Sequence, residues 1–248
     1  MSSKARQKGI LEQLKAGEES SVRELATLFD TSDITIRRDL VVLSEKGLLV
    51  RTHGGAMLPE STGFHQKESR NNEAKGYIGK LAASCVEPND VIFMDCGSTV
   101  FQMCAHLRKL ERLTIITNSL PIVSELLNHP GFTINLIGGE IDIQRRAVHG
   151  SMALEHIARY KADKAFVGVD GVSLANGLSA ASEKEASITL AMAHRAEQTY
   201  LLCDASKLEK DAYLQFAGMS LIDSLVSDRG ISPVLAARYE QAGIHLIR

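Results

Sequence analysis

Two rhythms of apolar residues divide the chain. Through about residue 50 they recur at helical spacing, and after about residue 75 they gather into short runs separated by helical stretches. In residues 4–16, Ile10, Leu11 and Leu14 make a narrow helical stripe that Gly17 is placed to stop. Ser20 or Ser21 can cap a second helix carrying Val22, Leu25, Ala26 and Phe29 on one face. Asp30-Thr31-Ser32 breaks that pattern, and Ser32 can cap a third helix in which Ile36, Leu40 and Leu43 recur until Gly47. Two short helices joined by a three-residue turn make a helix-turn-helix unit. LLVRT and Gly54-Gly55 then predict a strand and a tight return of the chain, a wing.

Residues 57–75, MLPESTGFHQKESRNNEAK, are polar, contain a proline and a glycine and lack a sustained period, the composition of a linker. Beyond them VIFM, LTIIT, FTINLI, KAFVGV, TYLLC, SLV and IHLI alternate with helical stretches. That alternation predicts a mostly parallel α/β sheet with helices on its faces. The expected organisation is a winged helix-turn-helix at 1–56, a linker at 57–75 and an α/β domain at 76–248.

At 44% hydrophobic and 23% charged residues the chain is ordinary for a soluble globular protein, with no apolar run of about 20 residues to span a bilayer. Glu12 and Gln13 interrupt the apolar positions of the basic N-terminus, so no secretion signal is read there and a cytoplasmic location is expected. Cys85, Cys96, Cys104 and Cys203 lack CxxC spacing, which fits buried thiols in a reducing compartment; Cys96 and Cys203 both end expected strands, where a redox pair is the alternative. A net charge of −2 gives no global support for binding a polyanion, so any nucleic-acid reading rests on local placement.

Local placement supplies it. With Ile36, Leu40 and Leu43 facing inward, a rotation of about 100° per residue turns Arg37 and Arg38 outward. Thr35, beside Asp33, falls in the first turn, the part of a recognition helix that enters the major groove. Arg51 and His53 on the wing fall near the minor groove or the backbone. The plain alternative is an Asp33–Arg37 pair on a solvated helix and a Gly-Gly that is only a turn.

Several expected strands end in polar or glycine-rich turns: DCGSTV, NSLP, GGE, DGV and DASK. In an open parallel sheet, ligands bind beyond the carboxyl ends of the strands. Gly97, Ser98 and Thr99 open a helix where amide N–H groups and hydroxyls could hold a phosphate. Lys207 could add a cation, and Asp95, Asp170 or Asp204 could accept from sugar hydroxyls. Taken singly, the Gly-Ser-Thr is a turn with an N-cap, Lys207 a solvated lysine and Asp204 a turn-forming residue. With no GxGxxG and no GxxxxGK[ST], neither a dinucleotide nor a nucleoside triphosphate is indicated. No HxxxH or HExxH spacing marks a metal site, and no cofactor is expected.

The run VRELATLFDTSDITIRRDLVVLSEKGLLVRTHGGA resembles the N-terminal winged helix of the DeoR family of bacterial transcriptional regulators. The likeness continues through DVIFMDCGST, TNS, IGGE, DKAFVGVDGV, the Glu185 region and DASK, and so spans nearly the whole chain. It implies that Thr35, Arg37 and Arg38 contact operator DNA, supported by Ser32, Arg51 and His53. It also implies an effector domain folded like sugar-phosphate isomerases, holding a phosphorylated sugar or sugar alcohol. The phosphate would lie at Gly97, Ser98 and Thr99, with the sugar met by Asp95, Asn118, Gly138, Gly139, Asp170, Glu185 and Lys207. Members often carry basic residues shortly after the Glu185 position, where this chain has Thr189 and Leu190, and they vary at Cys96 and Arg145-Arg146, positions that the resemblance implies help choose the ligand. The expectation is a homo-oligomeric repressor of a sugar-utilisation operon, not an enzyme. The opposing reading is a phosphosugar-converting enzyme with a fused DNA-binding domain, using Glu183, Glu185 or Asp170 as a base.

Overall fold

The computed structural model describes residues 3–16, 20–45, 49–52, 54–57, 64, 67 and 71–248. The chain divides into two compact units, Met1–Thr62 and Gly63–Arg248.

In the first unit the apolar stripes form α1 (Ser3–Ala16), α2 (Val22–Leu28) and α3 (Asp33–Glu45). Ser21 caps α2 in a full capping box: its hydroxyl accepts from the Glu24 N–H, and the Glu24 carboxylate accepts from the Ser21 N–H. Ser20 pairs instead, in β1 (Ser20–Ser21), with β3 (Gly55–Met57), which also pairs with β2 (Val50–Arg51) to complete the wing. A side chain at Gly55 would collide with the Ser20 carbonyl oxygen, so this close approach requires glycine. Ile10, Leu14, Leu25, Ile36, Leu40 and Leu43 interlock in the small core. The expected helix stops Gly17 and Gly47, and the wing residue His53, lie outside the described residues.

The second unit is built on a seven-stranded, wholly parallel sheet. Its strands are β4 (Val91–Met94), β5 (Leu113–Thr117), β6 (Phe132–Leu136), β9 (Ala162–Gly168), β12 (Ala196–Leu202), β14 (Ser224–Val226) and β15 (His245–Ile247). They lie in the order β15-β14-β12-β9-β4-β5-β6. Each coincides with one of the seven apolar runs, because strands covered on both faces are nearly continuous hydrophobic stretches. Phe93, Ala165, Val167 and Leu201 enter one core and Ile92, Met94, Phe166 and Leu202 the other.

Helices α4 (Asn72–Ala83), α5 (Ser98–Phe101), α6 (Cys104–Leu107), α7 (Leu120–Leu126), α8 (Ser151–Ile157), α9 (Glu183–Ala193) and α10 (Pro233–Gln241) complete this unit. A hairpin, β7 (Glu140–Asp142) with β8 (Ala147–His149), follows β6. A small antiparallel sheet joins β10 (Gly171–Ser173), β11 (Gly177–Ala180) and β13 (Leu214–Ala217). From β4 the chain winds outward to β5 and β6, then returns to β9 and winds the other way. The order therefore reverses between β4 and β9, and the crevice of such a sheet lies at that switch point.

Within the stretch read as a linker, Phe64, Lys67 and Asn71 to Lys75 pack as part of the second unit. Phe64 is buried edge-to-face against Phe101, its ring centroid 5.3 Å away.

Candidate functional site

On the first unit, Arg37 and Arg38 are exposed on α3. Among the described residues, no ion pair joins Arg37 to Asp33, so both guanidinium groups face solvent without a carboxylate partner. Ser32 holds the start of the helix: its hydroxyl lies 2.9 Å from that of Thr35, and its carbonyl accepts from the Thr35 and Ile36 N–H groups at 3.0 and 3.1 Å. Arg51 is exposed on the wing.

Asp39, the residue after Arg38, is the charged group that the sequence reading passed over. It is buried and accepts from Arg6 Nε at 2.6 Å, Gln7 Nε2 at 2.8 Å and Ser3 Oγ at 3.0 Å. Burial alone would raise its pKa, but the bonds from Gln7, Arg6 and Ser3 outweigh it and hold the carboxyl below the usual range. Its position three residues after Ile36, on the inward side of the helix, was the available signal.

On the second unit a crevice opens at the carboxyl ends of β12, β9 and β4, across the switch point. Asp95, Cys96, Gly97, Ser98, Thr99, Asp170, Glu185 and Lys207 line it together with Lys67, Arg145, Thr189 and Phe216. Its free volume is about 40 Å³, room for a few waters.

Asp95 spans the switch point. One carboxylate oxygen accepts from the Gly97 N–H at 2.7 Å, and the other from the Gly168 N–H, at the tip of β9, also at 2.7 Å. Burial pushes its pKa up to about 6, against the pull of these two amides. Both oxygens are engaged by backbone, so Asp95 acts as a clasp that sets the Gly97-Ser98-Thr99 loop. A Cβ on Gly97 would stand 2.8 Å from the Asp95 Oδ1, a distance that forces the clasp to shift.

The remaining charges pair off. Lys67 Nζ lies 2.6 Å from Asp170 and 3.8 Å from Glu185, and Arg145 pairs with the other oxygen of Glu185. Asp170 also accepts from the Ala181 N–H at 2.9 Å. Burial would raise the Asp170 pKa, but the charge and hydrogen bond of Lys67 and the Ala181 amide hold the carboxyl below its usual range. Lys207 donates to the Val169 carbonyl at 2.7 Å, using one of the three donors of its ammonium. Ser98 and Thr99 are buried.

Three residues expected at a ligand do not line this crevice: Asn118, Gly138 and Gly139. They follow β5 and β6, one and two strands beyond β4, and neighbouring strands are about 4.8 Å apart. Asn118 is fully buried and donates to the Val148 carbonyl at 3.0 Å; the Gly138 N–H donates to His156 Nδ1 at 3.1 Å. Lys67 is an addition, and Arg145, singled out in the sequence only as a variable position that helps choose the ligand, joins it. Lys67 sits in a stretch without period, and Arg145 reaches the crevice from the β7–β8 turn, so only the fold brings them in. Cys96 and Cys203 are free, buried thiols whose pKa burial pushes up to about 12, the state of inert packing residues. Among the described residues no helix is long and apolar enough to cross a membrane.

A winged helix-turn-helix with exposed arginines on its third helix, joined to an α/β unit with a charged crevice at its switch point, defines a DNA-binding regulator with a sensor domain. Residues 6–62 match the DeoR-like helix-turn-helix domain and residues 70–229 the DeoR C terminal sensor domain. The chain belongs to the DeoR family of transcriptional regulators, which are not enzymes, and the enzymatic alternative is set aside. It is 34% identical to the HTH-type transcriptional repressor GlcR of Bacillus subtilis (strain 168), covering 96% of this chain and 93% of that one. It is likewise 34% identical to the lactose phosphotransferase system repressor of Lactococcus lactis subsp. lactis, over 97% of both chains. The glycerol-3-phosphate regulon repressor of Escherichia coli (strain K12) shares 30% identity over 90% of both. Ribose 5-phosphate isomerase A of Methanocaldococcus jannaschii overlaps 56% of this chain and 55% of its own, with a TM-score of 0.41 and 19% identity.

Proposed function

We propose that this chain is a cytoplasmic, homo-oligomeric repressor of a sugar-utilisation operon, released from its operator by a phosphorylated sugar or sugar alcohol. The observation that carries the reading is the crevice: Lys67, Arg145 and Lys207 gathered with the Ser98 and Thr99 hydroxyls where the strand order reverses. Relatives named for glycerol-3-phosphate and for a lactose phosphotransferase system support a phosphorylated polyol as the effector class.

In this reading Thr35, Arg37 and Arg38 meet operator bases and phosphates, with Ser32, Arg51 and His53 in support, and pairing of two chains matches two half-sites. The phosphate lies against Gly97, Ser98, Thr99 and Lys207, and the sugar lies toward Asp170 and Glu185, with Asn118, Gly138 and Gly139 beyond. Binding shifts the DNA-binding equilibrium only by the difference in the ligand's affinity for the two states.

The test is a gel-shift titration on DNA upstream of the chain's own gene and its neighbours, repeated with a panel of sugar and alditol phosphates. Salt-sensitive binding that one of the phosphates reverses is the expected result. Binding unaffected by any of them, with no thermal stabilisation, would overturn the effector reading.

A further inference from the structure

The stretch read as a linker is fastened to the crevice at successive points. The Phe64 N–H donates to the Gln144 carbonyl at 3.1 Å, beside Arg145, and its ring lies on Phe101, the last residue of α5. Lys67 Nζ faces two carboxylates, 2.6 Å from Asp170 and 3.8 Å from Glu185. The Lys67 carbonyl in turn accepts from Lys75 Nζ, a lysine that is 3% exposed. Asn71 donates to Asp204 Oδ1 at 3.1 Å and to Ser206 Oγ at 3.2 Å, in the turn that also carries Lys207. Helix α5, the β7–β8 turn, the turns after β9 and β12 and the start of α9 thus all touch this one stretch.

The crevice has no room for a phosphosugar while Lys67 holds its place. Its free volume is about 40 Å³, against roughly 300 Å³ or more for a site that encloses a small organic ligand. A lining side chain must withdraw. Asp95 is bonded to backbone at both oxygens, Lys207 to the Val169 carbonyl, and the Asp170 carboxylate to the Ala181 N–H. Lys67 alone among the described lining residues precedes α4, the first helix of the second unit. Its ammonium donates to Asp170 and stands near Glu185, the acceptors that the proposed reading gives to sugar hydroxyls. Lys67 and the effector therefore compete for the same oxygens.

We infer that the Lys67–Asp170 ion pair is a latch that couples effector capture to operator release: effector hydroxyls take Asp170, Lys67 withdraws, and the chain from Phe64 to Lys67 comes off the crevice. The inference rests on the repressor reading above. The first unit ends at Thr62, so the fixings at Phe64 and Lys67 hold its tether short. With them undone the next side-chain fixing is Asn71, seven residues beyond Phe64. The tether then lengthens by up to about 25 Å, at about 3.6 Å per residue. Two DNA-binding units on longer tethers have a lower effective concentration at each other's half-sites, so paired binding weakens with no change in the groups that face DNA.

Operator affinity is measured without any effector, on a DNA fragment that the unaltered full chain selects from random sequence. Lys67→Met and Asp170→Asn each weaken binding about tenfold or more, as loss of avidity requires. The double variant is no weaker than either alone, because both remove one contact. Lys164→Met breaks an ion pair of similar length and burial near the amino ends of β9 and β4, Lys164 with Asp90 at 2.7 Å, and leaves operator affinity as it was. The sugar and alditol phosphates that release the unaltered protein release Lys67→Met little further. Unchanged operator affinity in Lys67→Met, additive losses in the double variant, an equal loss in Lys164→Met or full further release of Lys67→Met overturns the latch while the repressor reading stands. An unaltered chain that selects no DNA sequence, or that no phosphate releases, fails the repressor reading itself and takes the latch with it.

Discussion

Arg6 Nε stands 2.6 Å from Asp39 Oδ2, and with Gln7 and Ser3 it pins the first helix to the recognition helix one residue after Arg38. The pair is 13% and 5% exposed, too buried for water to replace a lost partner. Removing one partner of a buried pair typically costs about 3–5 kcal/mol. Asp39→Ala therefore lowers the stability of the first unit by about 3 kcal/mol, read from urea unfolding, and lowers operator affinity without removing any group that faces DNA. An Asp39→Ala protein with unchanged unfolding would show the contact to be inert.

Acid acts on the two units with opposite sign. The Asp39 carboxyl is held below its unfolded value of about 4, so its contribution is present above that pH and lost as pH falls through the folded value. Asp95 is raised to about 6, so its contribution is complete below about pH 4 and lost as pH rises through 6. The loss is about 3 kcal/mol for a shift of two units. Unfolding curves between pH 3 and 7 are expected to show Asp39→Asn blunting the acid limb of the first unit. Asp95→Asn flattens the second unit's decline between pH 4 and 6.

Arg38→Ala is expected to weaken operator binding by about 1–3 kcal/mol, the worth of a bidentate base contact. A companion loss in the salt dependence of binding would place the side chain on a phosphate instead. Effector binding, measured in the absence of DNA, stays the same.

Lys207→Ala is the complementary case. Loss of a charge-assisted hydrogen bond weakens effector binding by about 1.5–3 kcal/mol, while operator affinity without effector is retained. A variant that still releases DNA at the usual effector concentration would remove Lys207 from the site.

The sheet was legible because strands buried on both faces write themselves as apolar runs, and Ile36, Leu40 and Leu43 wrote the recognition helix in the same way. The small antiparallel sheet of β10, β11 and β13 was not, since its short strands carry neither a run nor a clear alternation. At the crevice, residues in turns directly after β4, β9 and β12 were found because the fold rule points at those turns. Asn118, Gly138 and Gly139 satisfied the same rule, yet they follow strands farther from the reversal, a matter of strand order that local pattern does not encode. Lys67 and Arg145 come from a polar stretch and a hairpin turn, and only tertiary structure closes the distance to Asp170 and Glu185. Asp39 shows a different limit: a charged residue on a helix reads as solvated until α1 is seen to cover it.

At rest, Lys67, Arg145 and Lys207 balance Asp95, Asp170 and Glu185 within one small crevice. A phosphate dianion entering there adds two negative charges to a space that was neutral. In a buried setting, excess charge of one sign raises the proton affinity of the carboxylates present, and Asp95, already near 6, is the first to respond. In the proposed reading, effector capture is coupled to the protonation of Asp95, over the same range in which the phosphate itself, with a second pKa of about 6, takes up a proton.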